Sequence, residues 1–481
     1  MTKLNFKDFE LSSNILSAIR KLGYIEPSEV QEKVIPLVLK NNDVIVKSQT
    51  GSGKTAAFAI PICEKIELEE RDPQVLVLSP TRELSLQIKE DFIDIGRFKR
   101  IRCAAIFGKE PVTIQINALK QRVHIVAGTP GRTLDLIDRG VLKLKKIKYL
   151  VIDEADEMLN MGFIDQVKSI INRLPKKRAT FLFSATMPKQ ILDLCDKYMI
   201  NPTNIEIKSK SSVTDRIKQL YYQVEYYNKF DLLNKIIYTE RPESSMIFCR
   251  TKKNVEDLTA KMNDRNYSCM ALHGGMLQAD RINVIKSFKR GEFTFLVCTD
   301  IAARGLDVEN ITHIINYDIP MEKESYIHRM GRTGRAGECG TAITFVTPKE
   351  YRFLEEIKEY FNLTIEEGKV PTLEEVKKGK AIFKKSAETS PKLKKDKAEK
   401  LNKDITKIHL SAGKKKKIRP GDIAGAISSI DGVNPEDVGI IDIQDNFSYV
   451  EILSGKGNLV IEGLKDKTIK GKTVRAEKAR K

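Results

Sequence analysis

"VIDEADEML", residues 151 to 159, sets Asp153, Glu154, Asp156 and Glu157 directly behind an apolar run. Acid clusters normally lie on a solvated face, because an ionised carboxylate taken from water without a partner is costly. Here the run ahead of them, "KYLVI" (148–152), reads as a buried strand. An open α/β sheet places its ligands outside the carboxyl ends of its strands. The stretch therefore predicts a parallel sheet with a charged site on its C-terminal edge.

The same pattern recurs on both sides. "DVIVKS", "QVLVLSP", "VHIVAGTP" and "TFLFSAT" are near-continuous apolar runs that end in polar residues, separated by helical patterns. Such runs suit parallel strands covered on both faces. A second set, "SMIFCRT", "FLVCTDIAARG", "HIINYDIP" and "TAITFV", follows the polar linker "IKSKSSVTDR". The expectation is two tandem α/β units, 1–206 and 217–368. A lysine-rich connector (369–403), flexible or loosely helical, and a small βαββαβ unit (404–478) come after them. That last order fits a ferredoxin-like or RNA-recognition-motif sandwich.

The totals agree with a multi-domain globular chain. At 481 residues, roughly two to four domains are expected. The net charge is +18, and residues 371–481 hold 26 Lys or Arg against 16 Asp or Glu, or +10. A basic tail of this kind favours a polyanion. Seven scattered Cys without a CxxC pair read as reduced thiols in packing positions. No apolar run approaches the roughly 20 residues that span a bilayer, and "MTKLNFKDFELSS" lacks the apolar core of a secretory leader. A cytoplasmic protein is expected.

"SQTGSGKT" (48–55) lies between a strand pattern and a helical pattern. Gly51 and Gly53 let backbone N–H groups wrap an anion, Lys54 reaches outer phosphates, and Thr55 offers Mg²⁺ an oxygen. With this loop in place, the acids after residue 152 become intelligible. Asp153 would hold the cation and Glu154 would deprotonate the attacking water.

These residues, with "PTREL" (80–84), "TPGR" (129–132), "SAT" (184–186), "TDIAARGLD" (299–307) and "HRMGRTGR" (328–335), resemble the ordered motifs of the DEAD-box family of superfamily 2 RNA helicases. The resemblance spans about residues 4 to 365 and implies two RecA-like domains, RNA-dependent ATPase activity, and ATP with Mg²⁺. "GYIEPSEVQ" (23–31) is similar to the family's Q motif: Gln31 would read adenine, with Tyr24 and Phe6 as aromatic support. Asp307 would meet the ribose. Arg332 and Arg335 would act as arginine fingers. Asp156, Ser184, Thr186, His328 and Arg329 would couple the motifs. Arg82, Gly108, Thr129, Arg132, Gln278, Arg281 and Thr299 would touch the RNA backbone, which gives grip without sequence reading. At 108–109, Gly-Lys stands where most members have a Gly pair.

In "DNFSYVEIL" (445–453) a strand puts Phe447, Tyr449 and Glu451 on one face, which leaves two aromatics to stack bases. This partly matches the RNP1 pattern. The first strand, "KIHLSAG", lacks the aromatic expected at RNP2, and "GKKKKIR" (413–419) forms a basic loop. The layout resembles the bacterial DbpA/YxiN group of DEAD-box proteins. That likeness implies a hairpin of 23S rRNA and pre-50S particles as partners, and a monomer without membrane contact. Phosphate contacts leave a DNA-stimulated ATPase open, and so is an RNA clamp that hydrolyses ATP without separating strands.

Overall fold

The computed structural model describes residues 4–48, 51–207, 216–303, 308, 311–334, 339–387, 393 and 398–479. They form two compact units. The first gathers 1–48, 52–206 and 396–481; the second holds 49–51 and 207–395.

In the first unit, seven strands make a wholly parallel sheet: β1 (Val44–Lys47), β2 (Val75–Leu78), β3 (Cys103–Ile106), β4 (Ile125–Gly128), β5 (Tyr149–Ile152), β6 (Ala179–Ser184) and β7 (Thr203–Glu206). Their order is β3-β4-β2-β5-β6-β1-β7. Apolar side chains on both faces exclude water, and every residue of β2, β4, β5 and β6 is buried. The helix Lys54–Lys65 is buried from Ala56 to Cys63, so it covers one face almost without solvent contact. Register aligns the strand ends: Lys47 pairs with Ser184, and Leu78 with both Ile152 and Gly128. The segments that follow β1, β2, β4, β5 and β6 therefore emerge along one edge.

The second unit repeats the scheme with β8 (Ile217–Gln223), β9 (Ser245–Phe248), β10 (Cys269–Leu272), β11 (Phe295–Cys298), β12 (His313–Asn316), β13 (Gly340–Val346) and β14 (Glu366–Glu367). The order β10-β11-β9-β12-β13-β8-β14 is again parallel throughout.

Residues 404–479 form an antiparallel sheet of β15 (Thr406–Leu410), β16 (Val438–Ile443), β17 (Ser448–Ile452) and β20 (Ala476–Lys478), backed by the helices Pro420–Ser428 and Gly457–Gly463. A two-strand hairpin, β18 (Thr468–Ile469) and β19 (Lys472–Thr473), precedes the last strand. The sheet order β16-β17-β15-β20 is that of the expected sandwich.

The connector, expected to be flexible or loosely helical over 369–403, contains one well-formed helix. Leu373–Ala387 is a helix that packs on the helix Lys229–Glu240 of the second unit. Thr372 and Glu375 start it: the Glu375 carboxylate accepts from the Thr372 N–H at 2.8 Å and hydroxyl at 2.9 Å. Val376, Gly379 and Phe383 then fall on one face at helical spacing. The Phe383 ring lies 5.7 Å from that of Tyr238 and 5.6 Å from that of Tyr267.

Gly379 lies under the helix where a Cβ would come 2.1 Å from the Tyr238 carbonyl oxygen. Propensity alone makes Gly379→Ala stabilising by about 1 kcal/mol. The clash reverses the sign, and overpacking of this kind costs about 1–3 kcal/mol. The variant should show faster amide exchange over 373–387 and a lower Tm. A higher Tm would mean that the helix does not pack so closely in solution.

Candidate active site

Gly53 stands at φ 90°, and its position is crowded as well: an added Cβ would lie 2.7 Å from Gln31 Nε2. Only glycine tolerates both demands. Gln31 Nε2 donates to the Gly53 carbonyl at 3.3 Å, Gln31 Oε1 accepts from the Ser28 N–H at 2.9 Å, and Ser28 Oγ donates to the Ser52 carbonyl at 3.0 Å. The helix Glu29–Leu39 is thus stitched to the phosphate loop at its first turn. The Gln31 amide keeps one donor and one lone pair beyond these bonds. Tyr24, half-buried, meets the buried Phe6 edge-on at a ring distance of 6.2 Å.

Lys54 is 7% exposed, and its ammonium donates to the Ser48 carbonyl at 3.2 Å. Thr55 follows it on the same helix, and Gly51 stands at φ 82°. Asp153, 3% exposed, directly follows β5 and accepts the Glu154 N–H at 3.0 Å. Burial pushes its carboxyl above the usual aspartate range, and Lys54 acts against that shift. Glu154 sits at φ 53°, a left-handed conformation rare outside glycine, and leads into the helix Ala155–Asn160. Such strain persists only where surrounding structure enforces it.

Asp156 supplies that enforcement. Its Oδ2 accepts the Thr186 N–H at 2.9 Å and the Thr186 hydroxyl at 3.0 Å, while its own N–H donates to Ser184 Oγ at 3.2 Å. The turn after β5 and the turn after β6 are one hydrogen-bonded piece. On the same edge, Arg82 opens the helix after β2 and Thr129 caps the helix after β4. The Arg132 guanidinium points to the next loop, donating to the Glu110 carbonyl at 3.3 Å and to Gln115 Oε1 at 3.1 Å. It braces the Gly108–Lys109 turn from behind.

In the second unit, Arg329 is 2% exposed and bonded throughout. It grips the Asp300 carboxylate with Nε (2.5 Å) and Nη2 (2.6 Å), and Nη1 reaches Asn316 Oδ1 (2.9 Å) and the Asp318 carbonyl (2.8 Å). Four of its five donors are committed inside this unit. Arg332 and His328 line a small depression beside it, with Phe248, Asp300, Ala303 and Ser325. Buried Arg281 reaches the His273 carbonyl at 3.4 Å, Gln278 begins the helix Gln278–Arg290, and Thr299 follows β11. Asp307 and Arg335 lie outside the described residues.

On the C-terminal sheet, Phe447 and Tyr449 share the outer face, their rings 5.3 Å apart. A third ring joins them. His409 lies 5.4 Å from Phe447 and 5.6 Å from Tyr449, and its strand pairs it directly with Tyr449. Lys407 sits 4.5 Å above the Tyr449 ring. Alternation in "TKIHL", with Ile408 and Leu410 buried, was the available signal for His409.

Lys109 occupies φ 60° without being glycine. Lys109→Gly should therefore keep stability or raise it by up to about 1 kcal/mol, strain relief outweighing the freer unfolded chain. If its ammonium faces an RNA phosphate, the salt dependence of RNA affinity flattens by about one unit of slope. An unchanged slope would show that this turn grips RNA without Lys109.

Comparison with known proteins accounts for all three parts. Residues 28–194 match a DEAD/DEAH box helicase domain, 228–337 a helicase conserved C-terminal domain, and 407–478 a DbpA RNA binding domain. The chain is 54% identical over 477 residues to the ATP-dependent RNA helicase DbpA of Bacillus subtilis (strain 168), covering 99% of this chain and 100% of that one. It is 44% identical over 376 residues to the DEAD-box ATP-dependent RNA helicase CshA of the same organism, covering 78% of this chain and 76% of that one. Among solved structures, S. cerevisiae Dbp5 bound to RNA and ADP BeF3 is similar at 33% identity and a TM-score of 0.70, over 80% of this chain and 99% of that one. Mss116p bound to ssRNA and AMP-PNP is similar at 27% identity and a TM-score of 0.70, over 78% of this chain and 81% of that one. The chain belongs to the DEAD-box family of ATP-dependent RNA helicases.

Proposed function

We propose that the chain hydrolyses ATP to unwind or remodel short RNA duplexes locally, and that its substrate is 23S rRNA in assembling pre-50S particles. It would act as a monomer in the cytoplasm. The observation that carries this reading is the three-ring platform, borne on a domain that matches the DbpA RNA binding model over 407–478. Stacking on such rings contributes about 1–3 kcal/mol per base.

In this reading Gly51, Gly53 and Lys54 cradle the phosphates, while Phe6, Tyr24, Gln31 and Asp307 hold the nucleoside. The donor chemistry fits Mg²⁺: a buried carboxylate whose ionised form is disfavoured by desolvation, together with a hydroxyl, is a set of hard oxygens. Asp153 and Thr55 would hold the ion, which supplies charge neutralisation to the phosphates. Glu154 takes the proton of the attacking water, held for the task by the turn that Asp156, Ser184 and Thr186 lock. Arg332 and Arg335 stabilise negative charge in the transition state. Arg82, Gly108, Thr129, Arg132, Gln278, Arg281 and Thr299 meet RNA backbone, and Arg132 and Arg281 also bond to the loops beside them.

Glu154→Gln keeps the shape and removes the base. Turnover should fall roughly 10²–10⁴-fold while ATP and RNA still bind. Near-normal steady-state hydrolysis would exclude Glu154 as the base.

The platform separates choice of RNA from chemistry. Deleting 404–481 should spare basal ATPase and abolish preference for an rRNA hairpin over an unrelated RNA of equal length. Phe447→Ala, Tyr449→Ala or His409→Ala should each raise the hairpin concentration for half-maximal ATPase by roughly five- to hundredfold. A truncated chain that keeps its preference would move specificity into the helicase domains. Equal stimulation by DNA of the same sequence would favour the DNA reading.

A further inference from the structure

The outer face of β17 carries more than the rings. Glu451, two residues beyond Tyr449 on that face, is bound by an arginine from the first helicase domain. Arg97 Nη1 donates to both Glu451 carboxylate oxygens, at 2.9 and 3.1 Å, and Arg97 Nη2 donates to Asp94 at 2.7 Å. The two side chains of the clasp are only 11% and 16% exposed. Arg97 is raised above the usual arginine range by Glu451 and Asp94 although burial opposes the shift. Burial pulls the neighbouring Arg102 below it, with Asp442 on the same sheet face acting the other way. Two further contacts flank the clasp. Arg100 donates to the Pro435 carbonyl, and Lys21 pairs with Asp404 at 3.3 Å while lying 5.5 Å over the Phe98 ring. Leu401, beside Asp404, is fully buried on a short helix that touches the helix Ser13–Lys21.

Arginine and acid are arranged as complementary sets. The helicase side offers Arg97, Arg100, Arg102 and Lys21; the C-terminal side offers Glu451, Asp442, Asp404 and a carbonyl. A shielded bidentate arginine–carboxylate pair is worth far more than an exposed ion pair, because water no longer competes for either partner. The Arg97 group lies at the C-terminal end of the helix Arg82–Ile95, ahead of β3, and so at the opposite edge of the sheet from Lys54 and Asp153.

We propose that the C-terminal domain is docked on the far edge of the first helicase domain through the Arg97–Glu451 clasp, with its ring platform left half open beside the joint. The specificity domain then has a set orientation relative to the first sheet, and the domain it fits is that of its own chain. The docking does not depend on which RNA the platform selects.

Lys21 and Asp404 report on the joint directly. A carbodiimide activates the Asp404 carboxylate, the Lys21 amine attacks it, an amide forms and the reagent leaves as a urea. Mass spectrometry of the full chain should find this crosslink within one molecule. In an equal mixture of light and heavy-isotope chains, crosslinks of mixed isotope would overturn the proposal, since docking would then be between copies. Arg97→Glu and Glu451→Arg should each lower the yield roughly fivefold or more, and the two together should restore it. Singles that leave the yield unchanged, or a double variant that stays low, would overturn it. Retained basal ATPase in all three variants excludes unfolding as the cause of a loss.

Discussion

A carboxylate shut from water at the end of a parallel strand, answered by one buried lysine, is the constraint around which the first domain is organised. Asp153 and Lys54 are each less than a tenth exposed. Neither charge would be tolerable alone, and together they bind the end of β5 to the loop after β1 electrostatically. Burial raises the proton affinity of Asp153, so its ionised form is held at an energetic disadvantage that Lys54 partly offsets. The left-handed Glu154 extends the logic, since the backbone beside the buried acid is held where few side chains go.

Arginine does two kinds of work here, and burial tells them apart. Arg132, Arg281 and Arg329 spend their donors on carbonyls and on side chains of their own unit. They hold loops in place from beneath. A loop supported in this way meets its ligand with less ordering left to do, which is how binding energy is preserved for the chemical step. Arg329, expected to couple the motifs, ties β12, the Asp300 turn and its own helix together.

Legibility in the sequence followed burial. Strands covered on both faces, such as β2, β4, β5 and β6, announce themselves as unbroken apolar runs. The edge strand β7 buries only Ile205 of its four residues, so no comparable run marks it. The phosphate loop and the acids after β5 were readable because their chemistry needs fixed residue types at fixed spacing. His409 is not among the aromatics usual at that place, although strand alternation puts it beside Tyr449. The joint between Arg97 and Glu451 spans 354 positions. No periodicity relates such residues, and only the folded chain brings them together. In the connector, lysines mask the short apolar stripe of Val376 and Phe383, so the helix there is only weakly marked in the sequence.

The helix Leu373–Ala387 belongs to the second unit, and the described residues of the first unit resume at Ala398. Ten residues, 388–397, cover that interval, and ten residues reach at most about 35 Å when fully extended. The second helicase domain is therefore leashed at both of its ends to a single body, once through the segment after β7 and once through this one. Covalent length alone therefore sets an upper bound on how far its two ends can stray from that body.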